Sequence, residues 1–585
     1  MKKKLLSILL ASSMAVSLAA CGNTAAAPAG DTAAVEEAPA ATEAAAEAEA
    51  PSDDAGAETV EATGSSAPQW DAYDALIDEI KTTTDFAGRV DLMHQAEDML
   101  MDTWAVIPIY YYNDVFMQKS DVSGIYANAY GFKYFQKAKK EGSDTLKINL
   151  ASEPDYLDPA LNSSVDGACL AIAAFSGILE YDENGKLQPA VAESMPEVSD
   201  DGTVYTVKLK ETKWSNGDTL NANDFIYSWN RVIDEKTAAD YAYMFDPVAR
   251  KDDGTLNVEA TDDYTLVITL NGPCPYFNQL LAFPAYFPVH QASVEAADTE
   301  TPGTWAQEAG FVCNGPYTLT AWSHDESMTY EKNENYYDAA NVPTKTLQFM
   351  LSADDTAIYA AYNSNDLDFI DSVPNDEIPS LKDNPEFHII DNMGTYYTAF
   401  NVKSDLFNGM TEQQAKDFRH AIALLIDRDY IVETVGQTGQ KAADSYIPAG
   451  MSDGNGGIFK TDDISYYDAD TTDVETAKSL LEGCGYSFTD NGDGTYQISP
   501  SVTLPYILNE NSGHQKVAES IQSDLSVLGI EMTIETQDWN VFLENRKQGN
   551  YTYAREGWLA DFDDPINMLE MFMTDSGNND PQFGR

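Results

Sequence analysis

The histidines and the glycine-rich stretches are the parts of this sequence that could serve in catalysis or in metal binding. The six histidines are scattered without an H-E-x-x-H pair, and the sequence has no G-x-S-x-G nucleophile elbow. The glycine-rich loop at 453–458 lacks the strand-to-helix context of a nucleotide fingerprint. The stretch at 490–498, DNGDGTYQI, begins like a calcium loop but lacks the glutamate at the right distance, which favours a hairpin turn. We therefore expect a protein that is not an enzyme and that holds neither a metal nor a cofactor.

The cysteines form no zinc or redox motif. Apart from Cys21 the sequence has Cys169, Cys274, Cys313 and Cys484, and none belongs to a C-x-x-C pair. Cys274 and Cys313 could form a disulfide in an oxidising compartment, but spacing alone leaves both states open.

The N-terminal segment has the pattern of a secretory signal. Lysines precede an apolar run from Leu5, and small residues lead to Cys21, in a stretch too short for a membrane-spanning helix. LAAC at 18–21 resembles a lipobox, which predicts a lipid anchor on Cys21 at the extracytoplasmic face of the cell membrane. The alternative is an ordinary signal peptide cut at an A-x-A-like site. Residues 22–67, mostly Ala, Glu, Pro, Asp, Thr and Ser, have few large apolar groups to bury and are predicted to form a disordered tether.

Charge and length limit the functions of the remainder. The formal net charge of -62 argues against binding nucleic acid, because phosphate contacts need clustered Lys and Arg. More than five hundred residues follow the tether, which is enough for several packed domains. The composition suits a soluble domain outside the membrane.

From Leu146 onward, short apolar strands alternate with amphipathic helices. The turn residues Asn184 and Gly185 predict a hairpin. Residues 502–539 have the pattern strand, helix, strand, which predicts a parallel crossover in an open α/β sheet.

Several longer motifs identify a family. EPDYLDPAL, NGPYTLTAW, FRHAIALLIDRDYI and REGWLADFDDPINMLEMF occur in this order. From about Leu146 to Phe572 the chain resembles the oligopeptide-binding proteins of ABC importers, which are extracellular solute-binding proteins of family 5. The resemblance implies an α/β, two-lobed periplasmic-binding-protein-like fold (class II, cluster C type) with an extra domain on the first lobe. It also implies a monomeric receptor that binds oligopeptides between its lobes and delivers them to ABC permease subunits.

The order of the segments differs from that of the family. In the family the chain continues past the SGNN found here at 576–579 into a helix pair and a tyrosine-rich strand. Residues 68–135 resemble that material, with AVIPIYYY at 105–112 as the strand, so we expect a circular permutation in which 137–144 joins the former ends. Two alternatives stay open: a truncated C-terminus with a partial duplicate at the front, or a segment swapped into a neighbouring molecule.

The N-terminal pattern and the resemblance together predict the following organisation: signal peptide 1–21; tether 22–67; displaced second-lobe helices 68–105; displaced first-lobe strands 106–140; first lobe 141–177 and 292–393; extra domain 178–291; second lobe 394–585.

Asp561 is the central ligand-binding residue that the resemblance implies. It matches the aspartate that binds the peptide ammonium, and Gly557, Trp558 and Leu559 match the strand that pairs with the peptide backbone. Gly394 and Leu559 stand where some members have a cysteine pair, so that crosslink is missing from this sequence.

The remaining implied contacts are two arginines and a histidine for the peptide carboxylate, aromatic walls, and a segment of the first lobe: Arg546, Arg555, His514, Trp539, Tyr397, Tyr241, Val165 and Asp166. Each has a structural alternative. Asp561 could cap a turn, the tryptophans could be core residues, the arginines could pair with nearby acids, and His514 could cap a helix. Of Tyr110 to Tyr112, packing is the first expectation, with one hydroxyl in the cleft.

Ligands other than peptides are the main alternative within this fold. Relatives bind nickel chelates, haem, opines or oligosaccharides, and an aspartate at 561 with arginines at 546 and 555 favours peptides over sugars. A peptide sensor without a transport role is a further alternative that the sequence does not separate from an import receptor.

Overall fold

Eleven strands within the described residues form one mixed sheet. In chain order they are β1 (Val106–Gln118), β2 (Thr145–Asn149), β3 (Tyr317–Ser323), β4 (Ser327–Lys332), β5 (Thr346–Met350), β6 (Phe369–Ile370), β7 (Phe387–Phe400), β8 (Lys441–Ala442), β9 (Thr503–Asn509), β10 (Glu531–Gln537) and β11 (Tyr553–Leu559). Their spatial order is β3-β4-β5-β2-β6-β1-β7-β11-β9-β10, with β8 paired to β1. The computed structural model describes residues 65–150, 152–298 and 301–585, so Cys21 and the predicted tether up to residue 64 lie outside it.

β1 and β7 connect the two halves of this sheet. They pair antiparallel from Val106 opposite Ala399 to Met117 opposite Phe387, with two shifts of register within 108–113. β1 is rich in β-branched and aromatic residues, which favour an extended chain. The site described below lies beside these two strands.

The helices are α1 (Asp71–Thr82), α2 (Phe86–Asp102), α3 (Val165–Ala174), α4 (Ala222–Val232), α5 (Phe277–Leu280), α6 (Gln291–Ala297), α7 (Asp355–Asn363), α8 (Ile378–Leu381), α9 (Glu412–Leu425), α10 (Arg428–Tyr430), α11 (Val474–Gly483), α12 (Ser512–Ser526), α13 (Trp539–Lys547) and α14 (Ile566–Leu569). A π-helical turn, Ile431–Gly436, follows α10. In the part of the chain that the structure describes, no helix has the length and hydropathy needed to span a bilayer.

The predicted crossover at 502–539 is confirmed. β9 and β10 pair in parallel with α12 between them. Asn511 caps α12 by accepting a hydrogen bond from the backbone N–H of His514.

Shorter strands form small separate sheets. A four-stranded antiparallel sheet within 178–291 contains Glu197–Val198, Val204–Lys208, Val258–Asp262 and Thr265–Thr269. Two-stranded pairs are Val122–Ser123 with Lys139–Lys140, Tyr126–Ala127 with Lys133–Tyr134, Leu179–Tyr181 with Leu187–Pro189, Thr212–Lys213 with Thr219–Leu220, and Ser487–Asp490 with Tyr496–Ser499. The third and fifth of these pairs confirm the predicted hairpins, and Gly185 has the positive φ of +72° that its turn requires.

The first two helices pack on the last part of the chain. The Tyr73 hydroxyl donates to the Leu569 carbonyl at 2.8 Å, and the Arg89 guanidinium binds both oxygens of Asp564 at 2.8 Å. Ile80 and Met93 are buried beneath this helix pair.

Two large apolar clusters hold the molecule together. One contains Leu146 and Trp229 and extends to Tyr73 and Phe572. The other lies under α9, α11 and α12 and contains Phe418. Cys274 and Cys313 are free thiols, so the disulfide considered above is not formed.

Candidate functional site

A cavity of about 410 Å³ brings together all the residues for which a ligand role is predicted. Its size is typical of small-ligand sites in proteins. The predicted residues on its wall are Val165, Asp166, Tyr241, Tyr397, His514, Trp539, Arg546, Arg555, Gly557, Trp558, Leu559 and Asp561. Because they come from segments hundreds of residues apart, the fold assembles the wall from both predicted lobes. What each residue binds stays a prediction.

β11 presents an unpaired strand edge to this cavity. Along one edge it pairs with β7 from Tyr553 to Leu559. Along the other, β9 pairs only with Tyr553 and Ala554. Within the described ranges, the edge from Arg555 to Leu559 therefore has no partner strand. A free edge can accept an extended chain through backbone hydrogen bonds.

Asp561 is a buried carboxylate held by neutral donors. Its oxygens accept hydrogen bonds from the Tyr241 hydroxyl at 3.2 Å and from Asn567 Nδ2 at 3.0 Å. Burial raises the pKa of the Asp561 carboxyl to about 7, and the bonds from Asn567 and Tyr241 oppose that rise. No cationic side chain in the described parts of the chain forms an ion pair with it. The group can therefore receive a positive charge from a ligand.

Asn567 positions both Asp561 and Trp558. Its Oδ1 accepts hydrogen bonds from the Asp561 backbone N–H at 2.9 Å and from Trp558 Nε1 at 3.1 Å. The Asn567 side chain is fully buried. Sequence reasoning did not identify this residue, and no local turn motif marks it, because its partners lie six and nine positions earlier in the chain.

The two predicted arginines differ in their partners. Arg546 forms a buried ion pair with Glu556, and Asp580 lies 3.5 Å away. Arg555 has no ion pair within the described residues; its Nη2 donates to the Tyr112 hydroxyl at 3.0 Å, and its guanidinium lies 5.3 Å from the Tyr396 ring centroid. The positive charge of Arg546 is thus already matched by protein carboxylates, whereas that of Arg555 is available to an anionic group.

Position 557 must be glycine because the Tyr112 side chain lies against it. A Cβ at this position would lie 2.0 Å from the Tyr112 hydroxyl oxygen, which is closer than any side chain allows. Tyr112 is thus the tyrosine of β1 that reaches the cavity, whereas Tyr110 stacks on Tyr396 at 4.6 Å.

His514 is a partly buried imidazole near Arg555. Burial, followed by the positive charge of Arg555, lowers the pKa of His514 well below its usual value. The ring is therefore neutral near pH 7. The backbone N–H of His514 takes part in the cap of α12, so the predicted capping role applies to its main chain. Its side chain is not used in the cap, and the residue lies on the cavity wall.

The aromatic residues form two parts of the wall. Tyr241 and Trp558 lie near Asp561, with their ring centroids 6.5 Å apart. Tyr397 is buried against Tyr446, and Trp539 begins α13 and contacts Phe542. The tryptophans are partly buried and face the cavity, so the core alternative does not describe them fully.

Val165 and Asp166 begin α3, whose cap is Ser164. Val165 lies close to Leu559: a Cβ added to the intervening Gly131 would be 2.7 Å from Leu559 and 3.1 Å from Val165. Leu559 also pairs in register with Gly394, at the positions where some relatives have a cysteine pair.

Other polar residues of the cavity had no signal in the sequence. Lys133, Asp114 and Asp371 lie on separate elements and meet only in the folded chain. In the described ranges, no group of three or more His, Cys, Asp and Glu side chains is arranged to hold a metal ion.

The chain matches the model of a known protein family. The model for bacterial extracellular solute-binding proteins, family 5 Middle, matches residues 186–580. The oligopeptide-binding protein OppA of Bacillus subtilis is 30% identical over 496 residues, covering 81% of this chain and 85% of that protein. The dipeptide-binding protein DppE of the same organism is 32% identical over 455 residues, covering 76% and 79%.

Solved structures agree with this placement. Listeria monocytogenes OppA bound to peptide has a TM-score of 0.67 at 28% identity and covers 76% of this chain and 86% of that chain. Haemophilus influenzae OppA in complex with RPPGFSPFR has a TM-score of 0.67 at 27% identity and covers 76% and 85%. The predicted two-lobed α/β fold is therefore confirmed. The chain belongs to the bacterial extracellular solute-binding proteins of family 5, and it is a binding protein and not an enzyme.

Proposed function

We propose that this protein binds an oligopeptide between its two lobes. The observation that carries the proposal is the unpaired edge of β11, which ends two residues before the buried, cation-free Asp561. An extended peptide would pair its backbone with this edge and place its ammonium on Asp561. Arg555 would meet the peptide carboxylate. The names of the relatives, oligopeptide- and dipeptide-binding proteins, and the peptide-bound structures support the same ligand class.

The decisive experiment compares peptides with free and acetylated amines. Calorimetry of the wild type and Asp561→Asn should show a loss of tenfold or more for the free-amine peptide, because a charge-assisted hydrogen bond contributes about 1.5–3 kcal/mol. The acetylated peptide should lose about twofold or less. Asp252→Asn, an exposed carboxylate outside the cavity, is the matched control. Equal losses for both peptides would contradict the role of Asp561, and no binding of either would redirect the search to other solutes of this fold.

We further propose that the protein is a monomeric, lipid-anchored receptor that delivers its ligand to an ABC permease. The anchor rests on the LAAC sequence at Cys21, and the permease on the resemblance to receptors of ABC importers and on the name of a similar solved structure, the oligopeptide ABC transporter from Bacillus anthracis. Metabolic labelling with an alkyne fatty acid should mark the full chain and not its Cys21→Ser variant. Equal labelling of both would contradict the anchor. Deletion of the partner permease should abolish peptide uptake without changing the affinity of the purified receptor.

We also propose that residues 68–140 take the place of the family's C-terminal segment, as in a circular permutation. The stacking of Trp70 on Phe583 at 4.0 Å and the Arg89–Asp564 pair support this placement, as does the position of β1 between β6 and β7. A rearranged gene that places 68–140 after 585, through a flexible linker, should give a monomer with the same melting temperature and peptide affinity. A rearranged chain that fails to fold, or a wild type that is an obligate dimer, would contradict the proposal.

A further inference from the structure

Three carboxylates and one lysine lie on one part of the cavity wall, and two of the carboxylates contact the lysine. We name Asp114, Asp166, Asp371 and Lys133 the acidic cluster; all four line the cavity. They come from β1, the first turn of α3, the segment after β6 and the short strand at 133–134. The cluster has two more carboxylates than ammonium groups.

Lys133 is already shared by two partners. Its ammonium forms an ion pair with Asp114 and another with Asp371 at 2.9 Å, and its side chain is only 5% exposed. The Asp371 side chain is 7% exposed, and its Oδ1 lacks a hydrogen-bond partner among the described residues. In the same ranges Asp166 has neither an ion pair nor a side-chain hydrogen bond. The cluster therefore contains carboxylate oxygens without donors, in a largely buried place.

Lys547 on the same wall is paired with Asp240, whereas Glu510 and Asp538 are exposed to solvent and have no ion pair among the described residues. Arg546 is neutralised by Glu556 and Asp580. A peptide with free ends brings one ammonium for Asp561 and one carboxylate for Arg555. After both ends of the peptide are paired, Asp166 still has no counter-charge.

We propose that the acidic cluster is a subsite for a lysine or arginine side chain of the bound peptide, with Asp166 as its principal ligand. This inference rests on the proposed peptide-binding function and adds a preference for cationic peptides. A partly desolvated carboxylate without a partner costs free energy, which an ammonium or guanidinium of the ligand would recover. A neutral side chain leaves that cost in place, and a glutamate adds repulsion. The chain's formal net charge of -62 also attracts cationic ligands at low ionic strength.

The test is a side-chain scan with alanine tetrapeptides that have free ends. Lysine, norleucine and glutamate replace each alanine in turn, and calorimetry measures binding to the full chain. Norleucine has the four-carbon side chain of lysine without the ammonium group. At one position lysine should bind about tenfold more tightly than norleucine, and glutamate more weakly than either, since a hydrogen bond to a charged group contributes about 1.5–3 kcal/mol. In Asp166→Asn the lysine preference at that position should fall to about threefold or less, while norleucine peptides change by less than about twofold.

Two further variants separate a local subsite from a general field. Asp166→Glu keeps the charge and should retain most of the lysine preference. Asp252→Asn removes one exposed carboxylate outside the cavity and should leave the preference unchanged. Thermal melting verifies that each variant is folded.

Each outcome decides the proposal. Norleucine peptides that bind as tightly as lysine peptides at every position would overturn the subsite and leave the peptide-binding function intact. A lysine preference that survives in Asp166→Asn, or that falls equally in Asp252→Asn, would also overturn it. Failure of every peptide to bind would overturn the proposed function and this inference with it.

Discussion

Asn567 holds Asp561 at two points: its Nδ2 donates to a carboxylate oxygen at 3.0 Å, and its Oδ1 accepts the Asp561 backbone N–H at 2.9 Å. The same Oδ1 also accepts from the Trp558 indole. One buried amide thus fixes the direction of the proposed ammonium-binding group and of the neighbouring wall.

We therefore expect Asn567→Ala to weaken peptide binding, although Asn567 itself is not proposed to contact the peptide. We expect about a tenfold loss for free-amine peptides and a smaller loss for N-acetylated ones, because Asp561 loses its orientation. Leaving the buried Asp561 N–H unpaired should also cost about 1–3 kcal/mol of unfolding free energy. Calorimetry and urea unfolding measure the two effects. Unchanged discrimination between the two peptides would show that Asn567 does not position Asp561.

The affinity for free-amine peptides should depend on pH. Burial raises the pKa of Asp561 to about 7 in the free protein, and an ammonium binds its ionised form. As the pH falls below about 7, the affinity should decrease by up to about tenfold per unit. Below pH 7 the peptide amine, with a pKa of about 8, remains largely protonated. An N-acetylated peptide, or the Asp561→Asn variant, should lack this dependence, and a pH dependence that persists in both would assign it to another group.

The stability of the ligand-free protein should show the opposite sign. Because the folded-state pKa of Asp561 is raised, its contribution to stability is complete below the unfolded-state value of about 4 and is lost as the pH rises through about 7. Asp561→Asn cannot ionise, so it should melt at a higher temperature than the wild type at pH 8. The difference should shrink as the pH approaches 4. A variant that is less stable than the wild type at pH 8 would contradict this expectation.

Gly557→Ala should damage both folding and binding. The new Cβ would meet Tyr112 at 2.0 Å, so the tyrosine must move and give up its contact with Arg555. We expect a lower melting temperature and weaker binding, measured by scanning calorimetry and titration. Gly483→Ala, where an added Cβ meets no atom within 4 Å, is the matched control and should change neither.

Substituting Arg546 should chiefly lower stability, whereas substituting Arg555 should chiefly weaken binding. Arg546→Met leaves Glu556 and Asp580 buried without their cation, so we expect a loss of about 3–5 kcal/mol of unfolding free energy with or without ligand. Arg555→Met should chiefly weaken peptides with a free carboxylate. Urea unfolding tests the first expectation. Titration with free-acid and amidated peptides tests the second, and equal losses for the two peptides would contradict it.

Local patterns predicted several elements well. Alternation of apolar residues followed by helical spacing predicted β9, α12 and β10, and Asn-Gly predicted the hairpin at 184–185. In these segments the chain pairs with itself over short distances, so its local preferences suffice.

The candidate site depended on a different kind of information. Asp561 and Arg555 were assigned through the family motif around β11. Asn567 was missed because its hydrogen bonds to Asp561 and Trp558 exist only after the turn between them has formed. Lys133 and Asp371 were missed because their pairing joins distant segments of the chain, which no spacing rule describes.

The unpaired edge of β11 has a consequence for solubility. Unpaired strand edges on a protein surface are templates for aggregation, since any other strand can extend them. Here the free stretch from Arg555 to Leu559 lies on the wall of a cavity of about 410 Å³, beside Tyr112, Val165 and Tyr241. A short extended chain can enter that space, but the sheet of a second folded molecule cannot. Because the cavity encloses this edge, it can pair with a ligand chain but not with a strand of another copy of the protein.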